Sequence, residues 1–418
     1  MYNKKSMTNI NKLVFNYFLI LFSAIPLSIL IGSTISIINI LIIDLSFIFL
    51  IIYKRQFNFL KNKVVIYLIF LYFYLIFNTF ISIDYSMSIT RNLGFLRIIV
   101  FFIAFNYFYH QNLFFEKMIK FWIIIILIVI FDVFIEKIFG KNILGYGELY
   151  GYRIVSFFKD EPIVGGYLNS FFLIIAGFFL NKKKYNGKLF FLLVIILLLT
   201  AIFLTGERSN YIKALLGIFI LVFLYKEFNY KKKLLFTIFN LLLVIIILFN
   251  SSFLKTRYLN QIRTALSNDS IYFNLYRSGF EVFKNYKLFG VGNKNYRVET
   301  CKLENLTIGN KSLFKMKKGY ICTTHPHQIY FEFLSEHGII GTVILLYIFY
   351  KLIFSKIKTT INKNNYIQLG AFVYLLVVFL PVIPSGSFFN DYNLTLFAIN
   401  LAIFYASDKN SNIFKILK

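Results

Sequence analysis

The sequence predicts an all-α, polytopic membrane helix bundle of about twelve transmembrane helices, with one long outer loop that contains amphipathic helices. Three observations lead there. The chain is 58% hydrophobic, with a mean hydropathy of +0.70, against about 45–50% apolar residues in soluble domains. Its apolar residues gather into segments near the length that spans a bilayer as a helix, the form that satisfies its own backbone where water is absent. Lysines, finally, alternate in density from one connection to the next.

The expected spans are Leu13–Ile31, Ser33–Tyr53, Val64–Ile83, Leu93–Tyr109, Ile119–Glu136, Val164–Leu180, Leu189–Thr205, Tyr211–Tyr225 and Leu234–Phe249. After a long connection come Gly338–Phe354, Tyr366–Ile383 and Leu394–Ala406. The first follows a basic start but is too long for a signal-peptide core and lacks a small-residue cleavage site, so it is read as a helix. Three units result: residues 1–249 with helices one to nine, the loop 250–337, and residues 338–418 with the last three helices.

Basic residues orient the bundle. Lys4, Lys5 and Lys12, then Lys54, Arg55, Lys61 and Lys63, then Lys182, Lys183, Lys184 and Lys188 fall in connections on one side, whereas the alternate short connections hold few. Both termini are therefore expected in the cytoplasm. The net charge of +27 is read as an orientation signal. A nucleic-acid partner would need a soluble basic domain, and none is evident. Within the outer loop, SIYFNLYRSGFEVFKNYKLFG has Tyr272, Tyr276, Phe280, Phe283 and Tyr286 near helical spacing and Arg277, Glu281 and Lys284 on another face, the pattern of an interfacial amphipathic helix.

The two cysteines, Cys301 and Cys322, both fall in that loop. An oxidising compartment favours a disulfide, and two unpaired thiols are the alternative. Nine arginines among 45 basic residues leave 36 lysines, a composition in which arginine survives where a guanidinium is needed. Seven of the nine, Arg91, Arg153, Arg208, Arg257, Arg263, Arg277 and Arg297, sit on the outer side. A planar fork binds phosphate through parallel hydrogen bonds that lysine cannot imitate. The outer face is thus expected to hold phosphate, the alternatives being lipid headgroups or nearby acids such as Asp84, Glu207 and Glu299.

The stretch HPHQIYFEFLSEHGIIG, His325–Gly341, concentrates three of the four histidines. His327 and Gln328, nine residues, then Gly338 and Gly341 resemble the His-polar-x9-Gly-x2-Gly pattern of the O-antigen ligase and polymerase family. TGERSN with Arg208 resembles that family's arginine at the outer end of a span. Arg277 ahead of LFGVG resembles its arginine upstream of a Gly-x-Gly turn, and RIVSFFKDEPIVGGYL from Arg153 resembles an earlier family loop.

The resemblance implies a glycosyltransferase of the bacterial inner membrane. It would move a glycan from undecaprenyl diphosphate to an acceptor such as lipid A-core at the periplasmic face, with no metal or nucleotide cofactor and with membrane lipids around it. His327, Arg208 and Arg277 would be catalytic; Arg153, Gln328, Glu336 and His325 would contact substrate. The residue types suit the chemistry, since such a transfer needs a base for the acceptor hydroxyl and cations for the departing diphosphate. The alternative for His327 is a cap on the next helix; for Glu336 the two readings are orienting a catalytic partner and meeting the interface; Asp160 and Glu161 are reserve bases. Zinc is disfavoured because no cysteine or carboxylate cluster surrounds the histidines. A polymerase of the same family stays open, as does a lipid-linked oligosaccharide transporter. The transporter fits less well, because the spans carry few charges beyond Asp44, Arg97 and Asp132.

The orientation has a direct test. A reporter active only in the cytoplasm, fused after Lys311, should be silent; activity there would reverse the sidedness on which the phosphate argument rests.

Overall fold

The computed structural model describes residues 12–147, 153–159, 161–182, 185–249, 251–260, 270–302 and 319–414. Asp160, Arg263 and Lys311 lie outside them, as does the side chain of Arg257. Beyond short turns, the helices are α1 (Lys12–Ser23), α2 (Ile25–Ile31), α3 (Ser33–Lys54), α4 (Lys63–Phe80), α5 (Tyr85–Phe108), α6 (Phe114–Phe139), α7 (Val164–Leu180), α8 (Tyr185–Leu204), α9 (Arg208–Leu224), α10 (Tyr230–Phe249), α11 (Ile271–Asn285), α12 (Tyr296–Thr300), α13 (Ile329–Leu352), α14 (Tyr366–Val378) and α15 (Asp391–Ala406). No strand occurs among the described residues.

Five of these helices are long and apolar enough to cross a membrane, or six if the bent pair α1–α2 is one span. Val164–Leu180, Phe190–Leu204 and Tyr366–Val378 are apolar but shorter. The first expected span bends by 42° between its two helices. Proline is the cause. Pro26 has no N–H to give to the carbonyl of Phe22, and the indole of Trp122 donates to that oxygen instead, at 3.0 Å.

The centre of the bundle is α7, of which every residue except Gly166 is buried. It crosses α14 at contact distance: a Cβ on Gly177 would lie 2.1 Å from the carbonyl oxygen of Tyr366, and one on Gly370 2.1 Å from that of Leu173. Small residues here let two apolar backbones approach where lipid supplies no hydrophobic drive.

The expected amphipathic helix is α11, capped by Ser270, whose hydroxyl accepts from Phe273 N at 3.2 Å. Tyr276 is buried and Arg277 and Lys284 are exposed, as the spacing predicts, but the rest of the buried face departs from the expected aromatics. Leu275, Tyr276, Ser278, Gly279 and Val282 are buried, while Phe273, Arg277 and Phe280 are exposed. The reason is close packing, because Gly279 abuts Pro326 so tightly that a Cβ would fall 2.8 Å from the proline Cβ. Val282 then packs with Val291, Tyr296 and Tyr320 in a small separate core. Cys301 and Cys322 are joined by a disulfide, with Cα atoms 4.7 Å apart, which ties the end of α12 to the segment entering the histidine turn.

Gly338 interrupts α13, with φ 61° and ψ −169°. The break is bridged by residues 287–292. Ile339 N donates to Lys287 O at 2.8 Å and Ile340 N to Leu288 O at 3.2 Å; in return Val291 N reaches Ser335 O and Gly292 N reaches Glu336 O, both at 2.9 Å. A side chain at either partner would strike backbone: a Cβ on Gly338 lies 2.4 Å from Leu288 C, and one on Gly290 lies 2.4 Å from Glu336 C. Both glycines also have positive φ. Gly338→Ala and Gly290→Ala should therefore each lower the melting temperature of the purified protein, the single substitutions costing on the order of 2–4 kcal/mol for strain plus overpacking. Gly140→Ala, whose added Cβ meets nothing within 4 Å, should cost less although its φ is also positive. Equal losses at all three positions would remove the bridge from the explanation.

Candidate active site

A cavity of about 340 Å³ opens where the first turns of α7 and α9 meet the histidine turn and the loop between α14 and α15. Its wall includes Asn169 from α7, Ser209, Asn210 and Lys213 from α9, His325 and His327, and Ser385 from the loop. The spacing 209, 210, 213 puts those three side chains on one helical face.

The histidine turn is held from several sides. Gln328 is the N-cap of α13: its Oε1 accepts from Tyr330 N at 2.8 Å and Phe331 N at 3.1 Å, so the capping role falls to Gln328 and not to His327. His327 has φ 57°, and its carbonyl accepts from Ser385 N at 2.9 Å. Pro326 rests on Gly279.

The histidines differ in what they have left to give. The His325 and His327 rings lie 4.1 Å apart. His325 spends both nitrogens, Nδ1 with Thr324 Oγ1 at 2.9 Å and Nε2 with Ser385 O at 3.3 Å; since the carbonyl can only accept, Nε2 is the protonated nitrogen. No described residue hydrogen-bonds the His327 ring, which edges toward Tyr272 at 6.5 Å. His337 is fully buried away from the cavity, its Nδ1 3.1 Å from the Tyr74 hydroxyl. Gly341 permits that contact, since a Cβ there would fall 1.8 Å from the tyrosine oxygen. Burial, then its neighbour His327, pushes His325 down to about 3. Burial also lowers His327 from the ordinary histidine value, so both rings are neutral near pH 7.

The other expected site residues are more dispersed. Arg208 begins α9, half-buried, with a buried Nη1 that has no partner. Arg153 donates to Pro162 O at 3.3 Å, and its Nε is buried without a partner. Arg277 points from the exposed face of α11 and lies outside the cavity wall. Glu336 is buried outside it too, its Oε1 accepting from Tyr296 N at 3.4 Å. Among the described residues no group of three or more His, Cys, Asp and Glu is arranged to hold a metal ion.

Three elements that organise the site were not anticipated. Glu332 accepts from Ser387 Oγ at 2.6 Å and from Phe388 N at 3.0 Å, pinning the α14–α15 loop over the histidines. Glu207 accepts from Gly165 N at 2.6 Å, Gly166 N at 3.3 Å and Asn210 Nδ2 at 2.6 Å, which locks the start of α7 to α9. Burial raises Glu207 to about 7, opposed by those hydrogen bonds. The third, Lys213, 8% exposed, holds no other element but lines the cavity.

Among the described residues, the helical bundle, with several helices long and apolar enough to cross a membrane and a polar, histidine-lined cavity at the helix ends, has the character of a membrane protein. Residues 192–346 match the family model described as O-antigen ligase. Over that stretch the chain is similar to the O-antigen ligase family, and the family model spans less than half of the chain. The match takes in Arg208, Arg277, the disulfide and the whole His327–Gly341 motif; Arg153 precedes it. A comparison with curated proteins finds no match.

Proposed function

We propose that this protein is an O-antigen ligase-type glycosyltransferase of the inner membrane, moving a glycan from undecaprenyl diphosphate to lipid A-core or a similar acceptor at the periplasmic face. In this reading the twelve-span layout has both termini inside, and the 250–337 loop lies outside with the cavity beneath it. The acceptor hydroxyl oxygen attacks the anomeric carbon. His327 takes the hydroxyl proton, and the bond from that carbon to the diphosphate oxygen breaks, the electron pair leaving with the diphosphate. Arg208 and Arg277 stabilise the charge that develops there. Because the leaving group is already activated, the bond change needs no nucleotide.

The observation that carries this reading is the contrast among the three histidines: His325 has both nitrogens committed, His337 is buried elsewhere, and His327 faces the cavity with its ring unengaged. Its lowered affinity for protons keeps it in the base form. The family match adds the class of reaction.

His327→Ala should reduce transfer by about 10²–10⁴-fold in an assay with purified lipid-linked donor, with its melting temperature close to wild type. His325→Ala and His337→Ala should be milder in transfer. The kcat/KM profile should stay level as pH falls through about 6.5, the free-histidine value, and decline only below it, because burial disfavours the protonated ring. A His327→Ala enzyme that still transfers, or one whose loss matches unfolding, would move the motif from chemistry to architecture.

Arg208→Lys and Arg277→Lys keep the charge but lose the planar fork, and each should cost on the order of 10²–10³ in rate. Normal transfer by both would remove the diphosphate role. Gene deletion separates ligase from polymerase: a ligase leaves long glycan stranded on the carrier lipid, whereas a polymerase leaves single repeat units on the acceptor.

A further inference from the structure

Among the described residues, further groups in the cavity wall have no hydrogen-bond partner, among them Lys213, Asn169 Oδ1 and the Ser385 hydroxyl. Lys213 sits on α9, about 7.5 Å along the axis from Arg208 at about 1.5 Å per residue. It is 8% exposed and lines the cavity with His327, and no carboxylate or hydrogen-bond acceptor among the described residues engages its ammonium. Glu161, the acid in the same wall, lies at the exposed rim. Asn169, across the cavity on α7, is 3% exposed, and its Oδ1 is buried with no hydrogen-bond partner. A buried ammonium without a counter-charge is costly, and so is a buried amide oxygen without a donor. Where such groups line a cavity, a bound ligand is one way to complete them.

What completes them has a definite chemistry. Lys213 calls for an anionic oxygen, Asn169 Oδ1 for a hydroxyl donor, and the unengaged His327 ring for a second hydroxyl. All three lie in one cavity of about 340 Å³, room for a sugar ring with a phosphate but not for a long glycan. We propose that Lys213 and Asn169 form a glycosyl-phosphate subsite, in which Lys213 binds a phosphate oxygen and Asn169 accepts a hydrogen bond from a hydroxyl of the adjoining sugar. This rests on the transferase reading above and adds to it a cation in the cavity wall itself, which neither Arg208 nor Arg277 lines. The phosphate belongs either to the carrier diphosphate or to a phosphorylated acceptor.

Binding by purified, full-length protein in nanodiscs tests this independently of turnover. The probes are undecaprenyl diphosphate without sugar, the same lipid bearing its glycan, and a phosphorylated lipid A-core acceptor. Lys213→Met should weaken both carrier lipids by about 10–100-fold, the value of a charge-assisted hydrogen bond, while Lys213→Arg retains most of the affinity. Asn169→Ala should weaken the glycosylated carrier and leave the sugar-free one unchanged. Loss confined to the acceptor in Lys213→Met would assign the phosphate to that substrate. Ligand-free Lys213→Met should also melt higher than wild type, since an uncompensated buried charge is gone, whereas a lysine with a structural role would melt lower on removal. Wild-type affinity of Lys213→Met for all three probes would overturn the subsite. A wild-type protein that binds neither carrier nor acceptor would refute the transferase reading itself.

Discussion

The geometry of the cavity depends on the interlock between the break at Gly338 and residues 287–292. A helix interrupted in apolar surroundings exposes backbone groups that must find partners, and here four hydrogen bonds from one short segment meet that need in both directions. The two glycine motifs are thus halves of a single joint. Gly290 and Gly338 each sit where the other's backbone passes, so a side chain on either would part them. Through that joint, α11 is fixed against α13, Pro326 is fixed against Gly279, and the His325–His327 turn acquires its position. A sequence pattern of one histidine and two glycines thus places the histidine turn beside the joint that positions it.

Carboxylates do most of the anchoring. Glu332 holds the α14–α15 loop, Glu207 holds α7 to α9, and Glu136 accepts from Val155 N at 2.9 Å and Ser156 N at 2.6 Å. Asp132 adds Ile143 N at 2.9 Å and Ser156 Oγ at 2.5 Å. Charge-assisted bonds to backbone N–H groups are among the stronger ones available to a loop. The chain has only 18 acidic residues against 45 basic ones, and this share of them serves as clamps.

Much of this was legible in the sequence. Apolar segment lengths gave helices at nearly all the expected places, and the glycine spacing marked the joint. What escaped has identifiable causes. Hydropathy carries no information on the α14–α15 loop, whose contacts with the histidine turn cross some 58 residues, as from Ser385 N to His327 O. The bend in the first span was signalled by Pro26, yet only the position of Trp122 shows why it is stable. The buried face of α11 was misjudged because aromatic rings were given precedence over Ser278 and Gly279, whereas tight packing against Pro326 demanded small residues. That a Ser-Gly pair inside a helix marks close approach is a signal the sequence did contain.

Lys213 was missed for a more instructive reason. In a chain whose composition replaces arginine wherever lysine will serve, surviving arginines point to sites that need a planar fork, and this reasoning selects Arg208 and Arg277. It is blind by construction to sites where a point charge suffices. A narrow cavity is such a site: the ammonium is compact and can rotate its three donors toward one oxygen, while the guanidinium needs width and two parallel acceptors. The first turns of α9 carry one of each, Arg208 at the start and Lys213 farther along on the cavity face. Burial, which only the folded chain reveals, is what separates this lysine from the many exposed ones.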